Sequence, residues 1–159
     1  MSKRSRNVGV GEVPGYSPTP TEHLIGIREE PFPSLGLYLL VREGFLLDRV
    51  MGMVSSSKLF ESRNVLTRII GNSGRSMKRQ RSSGCVVRLD ARQSTIAFQY
   101  AHALEYTLKV FGSPQAAEDW LGRPCKYLAD QVPLDMIENW YGFQAVKDYL
   151  ERIELGIYQ

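Results

Sequence analysis

The chain is poor in the side chains that build disulfides and metal centres. It has two cysteines, Cys85 and Cys125, and two histidines, His23 and His102, with no Cys-x-x-Cys pair and no His at ligand spacing. That excludes a disulfide framework and argues against a zinc site. No metal or other cofactor is expected, and a reduced cytoplasm is the expected compartment. Long apolar runs are also missing. The longest falls far short of the ~18 residues a membrane span needs, so no membrane association is expected. The basic N-terminus is not followed by an apolar run in signal-peptide position, so nothing points to export. Catalytic grammar is absent as well: there is no Gly-rich phosphate loop after a strand and no recognisable nucleophile motif around Ser, Cys or Lys. Glu118, Asp119, Asp130, Asp135 and Glu138 are scattered over what reads as helical surface, and His102 lies between two alanines of a helix. No catalytic residue is assigned, and the chain reads as a binding protein.

What is present suffices for one or two small cores: 159 residues, 43% of them hydrophobic. The net charge of +3 hides an asymmetry. Residues 1–90 hold 14 Lys and Arg against 8 Asp and Glu, a balance of +6, whereas residues 91–159 hold 6 against 9, a balance of −3. A basic front and an acidic rear imply different partners for the two halves.

Residues 1–23 are rich in Gly, Pro, Ser and Thr, with too little apolar surface to offset the entropy of ordering. A flexible tail is expected, taken as residues 1–31, whose Lys3, Arg4 and Arg6 either solubilise it or brush nucleic acid. The run from Phe32 to Val41 leans to helix with Ser34 as its cap. Leu46, Leu47, Val50, Met51 and Val54 form the stripe of a half-buried helix that Ser55-Ser56-Ser57 ends.

The basic stretch from Asn64 to Arg81 has the order of a helix-turn-helix. Val65, Leu66, Ile69 and Ile70 form one short helix face, Gly71 makes the turn, Ser73 is placed to cap a second helix, and Met77 is its inward residue. The second helix would present Arg75, Ser76, Lys78, Arg79 and Arg81 outward, and these with Ser73 are the candidate DNA contacts. From Ser73 to Arg88 there are five basic residues and no acidic one. Arg and Lys neutralise phosphates, and Arg reads guanine through two parallel hydrogen bonds. The alternative is a solvated basic face. After the loop Ser82-Ser83-Gly84, Asp90 and Gln93 form a capping box that opens a long helix running to about Val110. This helix places Ala97, Tyr100 or Ala101, Leu104, Leu108 and Phe111 on one side, and it joins the basic module (residues 32–89) to the acidic one (residues 90–159) through a shared core.

The last third of the chain reads as three short helices divided by punctuation. Phe111-Gly112 closes the long helix, and Ser113-Pro114 opens the next, with Ala116, Ala117, Trp120 and Leu121 as its stripe. Gly122 and Pro124 end it. Pro133 starts another, with Leu134, Ile137 and Trp140 or Tyr141 facing inward, and Gly142 is expected to break it. The final helix carries Phe143, Val146, Leu150, Ile153 and Ile157 on one face. The core of the two modules is expected to include Leu66, Ile70, Met77, Trp120, Leu121, Ile137, Val146, Leu150 and Ile153.

The ordered set Phe111-Gly112, Trp120-Leu121, Pro124, Leu128, Pro133-Leu134, Ile137, Gly142, Val146, Leu150, Ile153 and Gly156 resembles the toxin-binding domain of the Xre/MbcA/ParS antitoxin family. In the basic stretch the family carries Ser-x-Arg-Thr-Leu-x-Arg-Arg. This chain departs from it with Ser76 for Thr, Met77 for Leu and Gln80 for the last Arg, and Gly74 would cost ~1 kcal/mol in a helix interior. The resemblance implies an all-α protein: an Xre-like helix-turn-helix followed by a small helical toxin-binding domain. It implies an antitoxin that neutralises a toxin encoded beside it, often of the NAD-consuming RES type. It also implies repression of the protein's own promoter, usually as a homodimer bound to operator DNA. The C-terminal residues Glu154, Leu155, Gly156, Ile157, Tyr158 and Gln159 would then lie over the toxin's active site, unless Ile157 packs on its own domain. The alternative reading is a stand-alone transcription regulator whose C-terminal domain only oligomerises.

Overall fold

The computed structural model describes residues 17–27 and 33–157. They form ten α-helices and no strand, as expected for an all-α chain. Two isolated bridges, Leu46 with Arg88 and Cys125 with Gln131, pin the longer connections.

The fold is built around α7, Ala91–Phe111, opened by the expected capping box: Asp90 accepts from the Gln93 backbone and Gln93 accepts in return. At 21 residues it is about 30 Å long. Ten of its residues are buried, among them Ile96, Ala97, Tyr100, Ala101 and Leu104. A helix buried on most sides must be surrounded, and α1, α2, α5, α8 and α10 all pack on it.

The flexible tail expected at the N-terminus does not extend as far as residue 31. Residues 1–16 and 28–32 lie outside the described residues, but Pro20–Ile25 form a helix, α1, with Leu24 fully buried against α3 and α7. Thr19 and Glu22 make a capping box, and Pro20 occupies the first helical position. The Thr21 backbone N–H (2.9 Å) and hydroxyl both donate to Glu105 of α7. Two buried aliphatic side chains, Leu24 and Ile25, and a two-point link to α7 order a segment whose composition is otherwise that of a tail.

Helix α2, Ser34–Glu43, exists where the sequence leans to helix, but Ser34 is its first residue and makes no side-chain cap; Pro33 precedes it. It rests on the core through Leu37, Leu40 and Val41, leaving Leu35, Tyr38 and Leu39 exposed. Helix α3, Leu47–Ser55, buries Leu47, Val50, Met53 and Val54. The serine run that ends it also starts another helix, since Ser57 caps α4, Lys58–Ser62, by accepting from the Phe60 backbone. Phe60 is fully buried and meets Tyr100 edge to face, ring centroids 5.6 Å apart.

Helix α5, Val65–Ile70, is followed by a 3-10 turn, Gly71–Ser73, and by α6, Gly74–Ser82. Gly71 has φ +54° and ψ −138°, a conformation closed to side chains with a Cβ. Ser73 does not cap α6. Its own backbone is helical, its hydroxyl donates to the Ile70 carbonyl (2.6 Å), and it accepts from the Gln93 amide (2.7 Å). Gly74 opens α6 rather than lying inside it, where its helix cost would be larger.

Three further helices complete the chain: α8, Pro114–Leu121; α9, Pro133–Met136; and α10, Trp140–Glu154. Gly112 ends α7 at φ +74°, Ser113 caps α8 by accepting from Ala116, and Pro133 starts α9, all as the sequence indicates. Gly142 breaks nothing. It lies in the first turn of α10, where a Cβ would stand 2.3 Å from the Met136 carbonyl oxygen. Glycine is there because α9 and α10 touch backbone to backbone.

The main core cluster runs from Leu24 of α1 to Phe143 of α10, so both halves of the chain share it. A second cluster, Cys125, Leu128, Val146 and Leu150, lies under α10, and Trp120 packs against both.

Candidate functional site

Two surfaces carry the residues singled out in the sequence. The first is α6. Arg75, Ser76, Lys78, Arg79 and Arg81 are all exposed, while Met77 is half-buried and packed on the core. Arg81 is paired with Asp48 at 2.5 Å, whereas Arg75, Lys78 and Arg79 have no acidic partner among the described residues. Ser73 is half-buried and held inside the turn. The turn itself is fixed from behind: the buried Gln93 amide donates to the Ile70 carbonyl (2.9 Å) as well as to Ser73. The first turn of α7 thereby sets the angle at which α6 leaves α5. Leu66 is half-buried and Ile70 buried on the inner side of this pair.

Helix α5 is tied to the C-terminal segment by a polar cluster. The Arg68 guanidinium lies 2.7 Å from Asp135 and 3.4 Å from Glu138, and the Tyr100 hydroxyl donates to Glu138 at 3.0 Å. Burial works against the Arg68 charge, but the hydrogen bonds and charge contacts with Asp135 and Tyr100 together outweigh it and raise the pKa, so the cation is secure. Burial, with the nearby Glu138 carboxylate, also raises the Tyr100 hydroxyl and keeps it a donor.

The second surface is the C-terminal segment. Leu121, Ile137, Val146 and Leu150 are buried; Trp120 and Ile153 are half-buried. Trp120 stands in a column of rings, 5.5 Å from Phe111 and 5.7 Å from Tyr149, and Tyr149 stacks in turn on Tyr127 at 5.7 Å. Tyr127 is 65% exposed. Neither Trp140 nor Tyr141 faces inward: they are 55% and 82% exposed. Asn139 caps α10, accepting from the Tyr141 and Gly142 backbones, so both aromatics fall on its first turn with nothing packed outside them. The local signal was an Asn two residues ahead of Tyr141, a helix start rather than a continuation.

Of the six C-terminal candidates, Glu154 is engaged within the chain, accepting from the Lys109 ammonium and the Tyr106 hydroxyl, each at 2.8 Å. Those two bonds, Lys109 first, lower its pKa. Helix α10 ends at Glu154, so Ile157 is not on its face. Leu155 and Ile157 are exposed, and Gly156 turns the chain at φ +66°. Tyr158 and Gln159 lie outside the described residues.

The ladder of helix ends and buried residues from the end of α7 to Gly156 is matched by a known family. Residues 108–156 match the antitoxin Xre/MbcA/ParS C-terminal toxin-binding domain. The match covers the C-terminal third of the chain, and that third is similar to a toxin-binding domain. The toxin-binding domain takes in α8, α9, α10 and the ring column; the α5–α6 pair lies outside the match. No curated protein matches the chain.

Among the described residues no group of three or more His, Cys, Asp or Glu could hold a metal ion, and no helix is long and apolar enough to cross a membrane. A cavity of about 330 Å³ between α1, α7 and α8 is lined by His23, Leu104, Leu108, Pro114 and Glu118 among others. Its one carboxylate already accepts from Ser57 at 2.7 Å, and the Ser56 hydroxyl that also lines it donates to the Met53 carbonyl at 2.7 Å.

Proposed function

We propose that the protein is an antitoxin that neutralises a cognate RES-type, NAD-consuming toxin by covering the toxin's active site. It also represses its own operon through a helix-turn-helix formed by α5 and α6. The observation that carries the first half is the end of α10. Where the matched region closes, Leu155 and Ile157 are 72% and 64% exposed, beyond the last helical residue of α10. A short apolar segment of this kind can enter a cleft closed to a folded domain, at an ordering cost of ~1–2 kcal/mol per residue. The second half is supported by α6. It has exposed Arg75, Lys78 and Arg79 with no acidic partner among the described residues, and it is held at a fixed angle by Gln93. Operator reading of this kind is done by dimers whose recognition helices lie about 34 Å apart. The exposed Leu35, Tyr38 and Leu39 of α2, at helical spacing, offer an apolar face through which two copies would pair.

The test is co-expression with the neighbouring reading frame, followed by assays on the purified complex. The complex is expected to leave NAD intact. Deleting Leu155 to Gln159 should release most of the NAD consumption while the complex still forms and promoter binding by the free antitoxin persists. Full inhibition by the truncated protein would place inhibition on the domain surface instead. A neighbouring frame whose product neither binds nor consumes NAD would favour a stand-alone regulator, in which the C-terminal domain only oligomerises.

A further inference from the structure

We infer that Gln93 is the positioning residue for sequence discrimination by α6, a role that rests on the operator-binding reading proposed above. It lies behind the turn and contacts no DNA itself; it holds α6 at the tilt from which exposed side chains reach base edges. Packing cannot do this. Helix α6 has nine residues and buries none of them. Met77 is half-buried against the core, and Arg81 pairs with Asp48 where both side chains are exposed, a contact that fixes little. Helix α5, by contrast, is secured: Val65, Ile69 and Ile70 are buried, and Arg68 is paired with Asp135. The tilt of α6 is therefore set at the turn between the two helices.

One carboxamide closes that turn. Gln93 is 8% exposed, and its Oε1 accepts from the Asp90 backbone at 3.0 Å. Its Nε2 donates to the Ile70 carbonyl at 2.9 Å and to the Ser73 hydroxyl at 2.7 Å, so both amide hydrogens are used. The Ser73 hydroxyl gives its own hydrogen to the same Ile70 carbonyl, at 2.6 Å. The end of α5, the residue before α6 and the first turn of α7 are thus joined in one ring of hydrogen bonds. Base reading depends on tilt far more than phosphate attraction does. A tilt of about 10° moves the far end of a helix ~13 Å long by roughly 2 Å. A hydrogen bond to a base edge tolerates only ~0.5 Å. Attraction between Arg or Lys and a phosphate falls off over ~8–10 Å at moderate salt. Loosening the turn should cost operator discrimination and leave general DNA affinity in place.

The test compares the full-length wild type with Gln93→Glu and Gln93→Met. Each is titrated against a duplex carrying the DNA upstream of the protein's own reading frame, and against a scrambled duplex of the same length and composition. Both changes remove the two donors. Glu keeps the capping acceptor, because Glu serves as Gln does at this position of a capping box. Met avoids a buried charge at nearly the same volume. In each variant the upstream duplex is expected to bind about tenfold more weakly, the value of one base contact. Affinity for the scrambled duplex should stay within about twofold, and its log–log salt slope should be unchanged, because every phosphate-binding side chain is still present. Wild-type discrimination in Gln93→Met overturns the role of Gln93 whatever Gln93→Glu does, since a loss confined to the glutamate would belong to its buried charge. A parallel loss on both duplexes with a lower Tm overturns it as well, because that is the mark of a fold weakened as a whole. A wild-type protein that binds the two duplexes equally, or neither, sinks the operator reading, and the positioning role falls with it.

Discussion

Replacing Gly142 by alanine should destabilise the protein, although the residue lies in a helix, where alanine is ordinarily the better choice by ~1 kcal/mol. The sign is set by what the new methyl group meets. Its carbon would stand 2.3 Å from the Met136 carbonyl oxygen and 3.0 Å from both the Met136 carbonyl carbon and Cβ, where ordinary van der Waals separations begin at 3.4 Å. About 1 Å must therefore be opened between two backbone segments, and a backbone cannot swing aside as a lysine side chain can. The Met136 carbonyl is also held by the Asn139 backbone N–H at 3.2 Å, and Asn139 in turn accepts from Phe143 at 2.8 Å and caps α10. Moving it disturbs the cap and the fully buried Leu134 and Ile137 on either side. Overpacking of this kind costs ~1–3 kcal/mol. At the upper end of that range, less the helix gain, the net loss is ~2 kcal/mol, or a Tm lower by ~4–8 °C for a chain of this size. Gly36 is the internal control: it lies in α2, and an added methyl group there would have nothing within 4 Å of it. Gly36→Ala should therefore be neutral or stabilising by up to ~1 kcal/mol. Urea and thermal unfolding of the two variants decide the matter. A Gly142→Ala protein at least as stable as wild type would mean that α9 and α10 do not meet as described.

Three further outcomes are expected. The double change Lys78→Ala, Arg79→Ala should weaken promoter binding and lower the log–log salt slope by about 0.9 for each phosphate no longer neutralised; unchanged affinity and slope would remove α6 from the DNA surface. Trp120→Ala should cost ~3 kcal/mol, the low end for a large aromatic because Trp120 is only half-buried; a normal Tm with loss of partner binding would place Trp120 at the interface instead. Burial among Phe98, Phe143 and Tyr106, and then the Lys147 charge, hold His102 below its ordinary pKa of 6.5. The folded state thus binds this proton less readily than the unfolded chain. The contribution is complete above pH 6.5 and is lost as the pH falls through the lowered folded value. Unfolding midpoints should drop on acidification in that range, and His102→Gln should flatten the drop.

Much of the helical framework was legible because its signals are local. Asp90 and Gln93, Ser113-Pro114, Gly112 and Pro133 each satisfy or remove backbone groups within one turn of themselves, and they mark helix ends wherever they occur. The capping box of Thr19 and Glu22 was equally local and equally readable, but it stood inside a stretch whose average composition pointed the other way. The ladder from Phe111 to Gly156 was legible for a second reason: an ordered series of helix ends and core positions identifies a domain even when no single residue does.

What local pattern could not supply was direction. Trp140 and Tyr141 have the composition of core residues, yet they face outward because no element packs over the first turn of α10. Ile157 continues the apolar spacing of α10 beyond the point where the helix ends. Ser73 has the right spacing for a cap but is taken by Ile70 and Gln93, and Gln93 is 20 residues away. Thr21 finds Glu105 across 84 residues. Gly142 looks like a break and is a point of close approach, because its role depends on the Met136 carbonyl brought against it. By itself the sequence determined an all-helical chain, most of its helix ends, a basic helix and a toxin-binding domain. The tertiary structure decided which side chains remain outside for a partner, because exposure depends on what the rest of the chain leaves uncovered.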